Sequence, residues 1–435
     1  AQDAKAKTQA FIDRFSKWYT PAVMVLALAA GLISGDVVLG LTLLVIGCPG
    51  ALVISIPVAI VAGIGRSARN GILIKGGEYL ETSAKISAVA VDKTGTLTEG
   101  RPVLTDIVVL NPEADRREVL RWAAAAEAGS EHPLARPILD TAREEGVAPE
   151  GLPGSVTPVV GKGIVADAHG KRVLIGNVPL LEQYGIVNDA GAAVAANKLA
   201  AAGKTPMIVA VDESVLGVIG VADTIREDAP EMIRRLHASG VQKVVMLTGD
   251  TRLVAEAIGE AVGIDEIHAS LLPEDKLDAV ARLQREGHTV AMVGDGVNDA
   301  PALATADIGV AMGAAGSAVA VETADIALMG DNLLKLPEAI SLAKRTVNVM
   351  RQNIWIALIT VVVLLVGVFA GGVTMAIGML MHEGSVLIVI LNAMRLLRNT
   401  QGATALSRSE RARAAHETGR PVEPATAQSS SELPS

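Results

Sequence analysis

Ile86-Ser87-Ala88-Val89-Ala90-Val91-Asp92-Lys93-Thr94-Gly95-Thr96-Leu97-Thr98 is the stretch on which the fold turns. Its first six residues read as a buried strand, and the strand runs straight into a carboxylate. In an open α/β sheet, ligands bind beyond the carboxyl ends of the strands, which is where Asp92 would lie. Gly95 permits a turn that brings backbone N–H groups close to a phosphate. An aspartate so placed can act as a covalent nucleophile. Asp92-Lys93-Thr94-Gly95 alone would also serve as a capped strand-to-helix turn. The full run to Thr98 is far more specific.

Three segments further along the chain complete a site of the same kind. Val244-Val245-Met246-Leu247 reads as a second apolar strand, ending in Thr248-Gly249-Asp250, where a hydroxyl and a glycine suit a phosphoryl oxygen. Lys276, in Pro273-Glu274-Asp275-Lys276, offers a cation for charge on a transferring group. Val290-Ala291-Met292-Val293 reads as a third strand, followed by Gly294-Asp295-Gly296-Val297-Asn298-Asp299-Ala300-Pro301. Asp295 and Asp299 are spaced to offer oxygen ligands to Mg²⁺, which favours carboxylates together with phosphate oxygens. Such an ion would neutralise charge on the transferred group and hold it in line with Asp92.

Outside this soluble middle the chain is apolar. Half of the 435 residues are hydrophobic and the mean hydropathy is +0.41. Trp18–Gly35, Val37–Gly65, Gln352–Met381 and Gly384–Met394 carry no charge, and singly or paired they are long enough to cross a bilayer core of about 30 Å. The layout expected is two membrane helices, a large soluble insert and two more membrane helices. Lys5, Lys7, Arg14 and Lys17 precede the first span, and Arg66, Arg69 and Lys75 follow the second. Lys344, Arg345 and Arg351 precede the third, and Arg395 and Arg398 follow the fourth. All flank one side, which should therefore be the cytosol. The net charge of −9 argues against nucleic acid as a partner, and a single cysteine excludes an internal disulfide.

Two places inside the membrane segments break the apolar pattern. Gly47-Cys48-Pro49-Gly50 puts a proline in mid-span, which interrupts the helix and frees carbonyls there. Discontinuous membrane helices commonly form ion sites, and Cys48 adds a soft thiolate. His382-Glu383-Gly384-Ser385 sits between the apolar flanks Met375–Met381 and Val386–Leu391. Ionisable groups at such depth are costly and usually functional, and imidazole with carboxylate suits a divalent first-row metal. The alternative places His382 and Glu383 at the outer interface of a shortened span.

Within the soluble middle, about Val103 to Val215 interrupts the sheet before a return strand, Leu216–Val221. Helices are expected around Arg116–Ala128 and Ala135–Glu145, and strands around Val156–Ala168 and Arg172–Ile175. Ser130-Glu131-His132-Pro133-Leu134 sets a histidine on a helix-start turn, and Gly161-Lys162-Gly163 sets a glycine pair between strands. Each is weak alone: a histidine there is usually a cap, and Gly-x-Gly is usually a hairpin.

In this order, Asp92–Thr98, Met246–Asp250 and Gly294–Leu303 look like the motifs of the P-type ATPases. The resemblance implies an α/β haloacid-dehalogenase-like (Rossmann-type) phosphorylation domain with an α+β nucleotide-binding insert, plus four transmembrane helices. It implies that Asp92 accepts the phosphoryl group of ATP and that Thr94 gives Mg²⁺ a backbone ligand. Thr248, Gly249, Asp250 and Lys276 would lie against the phosphoryl group or nucleotide. Asp295 would hold Mg²⁺, supported by Asn298 and Asp299. The insert resembles that of the heavy-metal branch, in which the Ser-Glu-His-Pro and Gly-x-Gly motifs bind adenine nucleotide, here through Glu131, His132, Gly161 and Gly163. The insert holds Trp122 and Tyr184 but no phenylalanine, so polar and backbone contacts are expected rather than a stacked ring.

Cys-Pro-x in one span and His-Glu-Gly with a small hydroxyl residue in the last are similar to the subgroup that moves cobalt, zinc, cadmium or iron(II). That subgroup usually has Ser-Pro-Cys where this chain has Cys-Pro-Gly. A divalent ion held by Cys48, His382, Glu383 and Ser385 is expected, with copper(I) as the alternative, for which Met375, Met379 and Met381 could add thioethers. The expected divisions are a linker helix at 1–17, membrane helices at 18–65, the phosphorylation domain at 66–102 and 216–349, and the nucleotide domain at 103–215. Membrane helices follow at 350–398 and a disordered tail at 399–435. The chain does not begin with Met and contains no Thr-Gly-Glu, the family's motif for hydrolysing the aspartyl-phosphate. It is expected to be a fragment that accepts phosphate without completing a transport cycle.

Overall fold

The structure, a computed structural model, describes residues 6–130, 132, 134–186, 190–295, 299–312 and 322–398. The expected tail at 399–435 lies outside the described residues. Strands β1 (Ile72–Ile74) and β2 (Ala88–Asp92) precede the insert. The insert carries β3 (Val103–Val109), β4 (Ser155–Val159), β5 (Gly163–Ala168), β6 (Lys171–Gly176), β7 (Thr205–Val211) and β8 (Ser214–Ala222). After it come β9 (Lys243–Leu247), β10 (Glu266–His268), β11 (Val290–Gly294), β12 (Ile308–Met312) and β13 (Ile326–Leu328).

Seven strands form one sheet in the order β1-β13-β12-β11-β2-β9-β10, parallel except for β1. Parallel strands buried on both faces read as continuous apolar runs, which is how β2, β9 and β11 appear in the sequence. From β2 the chain builds outward through β9 and β10, then returns to lay β11 on the other flank of β2. The order reverses beside β2, so the carboxyl end of that strand is a topological switch point with open space for a ligand. Asp92 stands there.

The insert is an antiparallel sheet ordered β3-β8-β7-β6-β5-β4, covered on one face by helices Arg116–Glu127 and Ala135–Glu144. Helices Val178–Gln183 and Ala190–Ala201 cover the other. One expectation is corrected here. Leu216–Val221 is not a strand of the seven-stranded domain. It lies within β8, paired to β3 and β7, so the insert closes near Ala222 rather than at 215. The glycine pair expected between strands joins β4 and β5 in a hairpin, because Gly161, at φ +71°, turns the chain back.

Among the described residues, four segments are long and apolar enough to cross a membrane: Thr8–Ser34, Val37–Arg69, Lys335–Phe369 and Met375–Leu397. The first helix, Lys7–Ser34, runs through the expected division at 17/18 without a break. Lys335–Phe369 likewise carries one continuous helix from the soluble domain into the apolar region, across the division placed at 349/350. Only the second span is interrupted. Helix Val37–Ile46 stops at Gly47, and Pro49 caps a new helix, Gly50–Arg69. Proline cannot supply the N–H that would continue the first helix, and its fixed φ suits the start of the second.

Candidate active site and membrane ion site

Ala88 to Val91 are fully buried, and Asp92 at the strand end is 7% exposed. Lys276 Nζ lies 2.6 Å from Asp92 Oδ1 and 2.7 Å from Asp299 Oδ1. Lys276 sits in the first turn of helix Pro273–Arg285, whose start is fixed by Pro273 and by the Leu272 N–H donating to Asp275 at 2.8 Å. On the other side, Lys93 Nζ pairs with Asp250 Oδ2 at 2.5 Å. Thr248 is buried, and its hydroxyl accepts from the Asp250 N–H at 3.1 Å, which fixes the Thr248-Gly249-Asp250 turn beside Asp92.

The electrostatics follow from this packing. Burial pushes the Asp92 carboxyl up to about 6, and Asp299 and Asp295 push the same way, while Lys276 opposes them. Burial alone would lower Lys276, but the carboxylates of Asp92 and Asp299 outweigh it and hold the ammonium charged. Gly95 adopts φ +71°, and a Cβ there would come 3.3 Å from Asp295 Oδ2. The turn thus needs glycine both for its backbone and for its closeness to that carboxylate. Thr94 leaves the helical region at φ −74°, ψ 129°, and the Thr96 hydroxyl is buried without a hydrogen-bond partner among the described residues.

Asp92 and Asp299 share the cation Lys276, and Asp295 lies close enough to push the Asp92 carboxyl up further. Carboxylates gathered in one site fit a hard divalent cation such as Mg²⁺. Among the described residues no group of three or more His, Cys, Asp or Glu encloses a metal on its own. Backbone and phosphate oxygens would have to complete the shell, as Mg²⁺ sites with bound nucleotide usually require. Asn298 lies outside the described residues.

Sequence reasoning missed the residues that tie the insert to the site. Asp223 Oδ2 accepts from the Thr98 hydroxyl at 2.6 Å and the Gly100 N–H at 3.2 Å, and Oδ1 from the Arg101 N–H at 3.1 Å. Arg226 donates to the carbonyls of Thr98 at 3.1 Å and Gly95 at 3.4 Å. The two crossings between domains are thereby pinned to the loop that carries Asp92. The available signal was an acid and a base three residues apart, directly after a buried strand.

In the insert, His132 is exposed, yet the protein packed around its ring desolvates it enough to lower its pKa, so the imidazole is neutral. Its Nδ1 accepts from the Leu134 N–H at 3.2 Å, which assigns the proton to Nε2. Glu131 lies outside the described residues. Gly161 has open space around its Cα, so a flat group can approach it. Gly163 is different: a Cβ would stand 2.1 Å from the Ile175 carbonyl, so the close pairing of β5 with β6 demands glycine. Glu127 was not foreseen. It ends a run of alanines, is 4% exposed, and leaves Oε2 without a hydrogen-bond partner among the described residues. Burial raises its pKa, with the Ser130 hydroxyl opposing. Asn177, also unforeseen, donates to the Gly161 carbonyl at 3.0 Å.

Within the membrane segments, His382 and Ser385 are buried, and a Cβ on Gly50 would lie 3.4 Å from His382 Nε2. The imidazole therefore faces the helix break. Cys48 and Glu383 do not join it, for both are exposed. Consecutive residues on a helix point about 100° apart, so His382 and Glu383 cannot both face one neighbour. The Ser385 hydroxyl donates to the His382 carbonyl at 2.7 Å. The expectation that Cys48, His382, Glu383 and Ser385 form one compact ligand cluster is thus not met among these four helices. Met375, Met379 and Met381 are exposed too. Asn353, fully buried, reaches the carbonyls of Ser55 at 3.5 Å and Val389 at 3.3 Å, tying three membrane segments together.

The haloacid dehalogenase-like hydrolase family matches residues 86–307. A cadmium-transporting ATPase of Staphylococcus aureus is 43% identical over 409 residues, covering 92% of this chain and 56% of the relative. A zinc-exporting P-type ATPase of Mycobacterium marinum is 40% identical over 405 residues, covering 92% and 54%. The crystal structure of a zinc-transporting PIB-type ATPase in an E2.Pi state superposes with a TM-score of 0.70 at 43% identity, over 89% of this chain and 64% of that one. The chain thus spans about half the length of the curated relatives it matches. The chain belongs to the haloacid dehalogenase-like hydrolases, as a relative of the metal-transporting P-type ATPases.

Proposed function

We propose that this chain carries the phosphorylation chemistry, and part of the membrane pathway, of an ATP-driven exporter of a divalent transition-metal ion of the Zn²⁺, Cd²⁺, Co²⁺ or Fe²⁺ type. The observation that carries the reading is the buried Asp92 carboxylate at the switch point, held 2.6 Å from Lys276. Asp92 Oδ attacks the γ-phosphorus of ATP, the bond to the β,γ-bridging oxygen breaks, and ADP leaves with that electron pair. Lys276 gives N–H donors to the phosphoryl oxygens as charge builds on them, and Thr248 adds its hydroxyl. Mg²⁺, held by Asp92, Asp295 and the Thr94 carbonyl, would supply charge neutralisation on the phosphoryl group. Asp299 stays with Lys276 and keeps the ammonium aimed at Asp92.

His132 and the Gly161 hairpin are the proposed nucleotide contacts, with Glu127 and Asn177 added by the geometry. His382 beside the Cys-Pro-Gly break is the proposed centre of the ion pathway. Cys48 and Glu383 would take part only with further helices around them. The Lys and Arg residues flanking the spans put the soluble domains in the cytoplasm of a cell membrane.

The test uses [γ-³²P]ATP with Mg²⁺. The chain should take up acid-stable, hydroxylamine-labile label, and Asp92→Asn should abolish it. In the full-length protein, ATPase activity is measured with Zn²⁺, Cd²⁺, Co²⁺, Fe²⁺ and Cu⁺ separately. Stimulation by Cu⁺ alone would overturn the divalent assignment, and unchanged stimulation in His382→Ala would overturn the membrane site.

A further inference from the structure

Where the hinge meets the insert lies a cleft of about 760 Å³, lined on one wall by Gly100, Arg101 and Pro102 and on the other by His132, Arg136 and Arg143. This size suits a ligand on the scale of a nucleotide. Its charges are not balanced. Asp140 takes up Arg143 at 2.5 Å and stands 3.7 Å from Arg136. Arg101 is exposed, and its guanidinium has no carboxylate partner among the described residues. Its backbone is nevertheless fixed, because its N–H donates to Asp223. The loop that leaves Asp92 therefore presents one uncompensated guanidinium to the cleft, with Arg136 on the opposite wall.

A nucleotide whose base lies near His132 must run its polyphosphate past this hinge to bring the γ-phosphorus to Asp92. We propose that Arg101, with Arg136 opposite, grips the non-transferred phosphates of ATP. The inference rests on the proposed nucleotide role of His132. Guanidinium matches phosphate oxygens in a two-pronged geometry that a lysine cannot reproduce. Because Arg101 belongs to the hinge and Arg136 to the insert, a phosphate chain between them would also draw the two walls together. The pair is thus a positioning device as well as a source of affinity.

The experiment uses the whole chain in detergent with Asp92→Asn, so that nothing is transferred, and titrates ATP, ADP and adenosine by calorimetry. Arg101→Gln should weaken ATP and ADP about tenfold and leave adenosine within about twofold. Arg101→Lys should recover only part of the loss, and adding Arg136→Gln should weaken ATP further. His132→Ala should weaken all three ligands. Circular dichroism checks that each variant keeps its fold. If His132→Ala weakens all three while Arg101→Gln changes none, or lowers ATP and adenosine in parallel, the phosphate role is wrong and the nucleotide site stands. If the unmutated hinge binds ATP no more tightly than adenosine, the phosphate role is again wrong. If no nucleotide binds at all, both readings fall.

Discussion

Replacing Asp92, the proposed phosphate acceptor, should make the protein more stable, and by an amount that the site itself sets. Asp92 is buried beside Asp299 and Asp295, and its carboxyl is pushed from 3.8 up to about 6 despite the contact with Lys276. A carboxyl raised in the folded state holds its proton more tightly there than in the unfolded chain. Its contribution to stability is full below about pH 4, is lost as pH rises through about 6, and stays lost above. The loss corresponds to about 3 kcal/mol. Asparagine is neutral at every pH and avoids it. Without Mg²⁺ at pH 8, Asp92→Asn should stabilise the seven-stranded domain by about that amount, and the gain should vanish near pH 4. Hydrogen exchange read by mass spectrometry suits a chain of several domains, since it reports local opening. After correction for intrinsic rates, amides of β2 and β11 should exchange roughly a hundredfold more slowly in the variant at pH 8. Mg²⁺ should narrow the gap, because it favours the ionised carboxylate. Equal protection of the two proteins at pH 8, or an undiminished pH slope in the variant, would refute the reasoning.

Lys276→Met should leave Asp92 and Asp299 without their cation, lower phosphorylation by about 10²–10³-fold and move its pH threshold above 6, as read from label incorporation against pH. Gly163→Ala should unfold the insert, because the new Cβ meets the Ile175 carbonyl at 2.1 Å. Gly161→Ala, with open space and only its positive φ to strain, should cost about 1–2 kcal/mol, and thermal melts separate the two. Asp223→Ala frees the Thr98 hydroxyl and the Gly100 and Arg101 N–H groups, so protease cutting near Gly100 should rise while strands β2 and β11 stay protected from exchange.

Some of this molecule was legible because it depends on neighbours in the chain. The apolar run into Asp92 specified a buried parallel strand, and the reversal of strand order beside it made that strand end a site. Charge-free stretches of bilayer length specified the spans, and Pro49 specified the helix break. The boundary of the insert was misjudged because Leu216–Val221 is as apolar as a strand of the other sheet. Only its antiparallel pairing with β3 and β7 distinguishes the two. Glu127 was invisible because a single acid after four alanines looks like a solvated helix end, whereas the folded insert leaves it only 4% exposed.

What the sequence by itself determined is which chemical groups stand where: an aspartate at a strand end, carboxylates after a neighbouring strand and a cysteine at a break in a membrane helix, since each lies in one continuous motif. Tertiary structure alone decided how those groups act on one another. Lys276 reaches Asp92 across 184 positions, and the burial of Asp92 beside the charges of Asp299 and Asp295, not any local signal, raises its carboxyl to about 6. It also separated His382 from Glu383, because adjacent residues on one helix face different surroundings. Spacing can bring donors to the same depth, but the packing of other helices determines which of them meet.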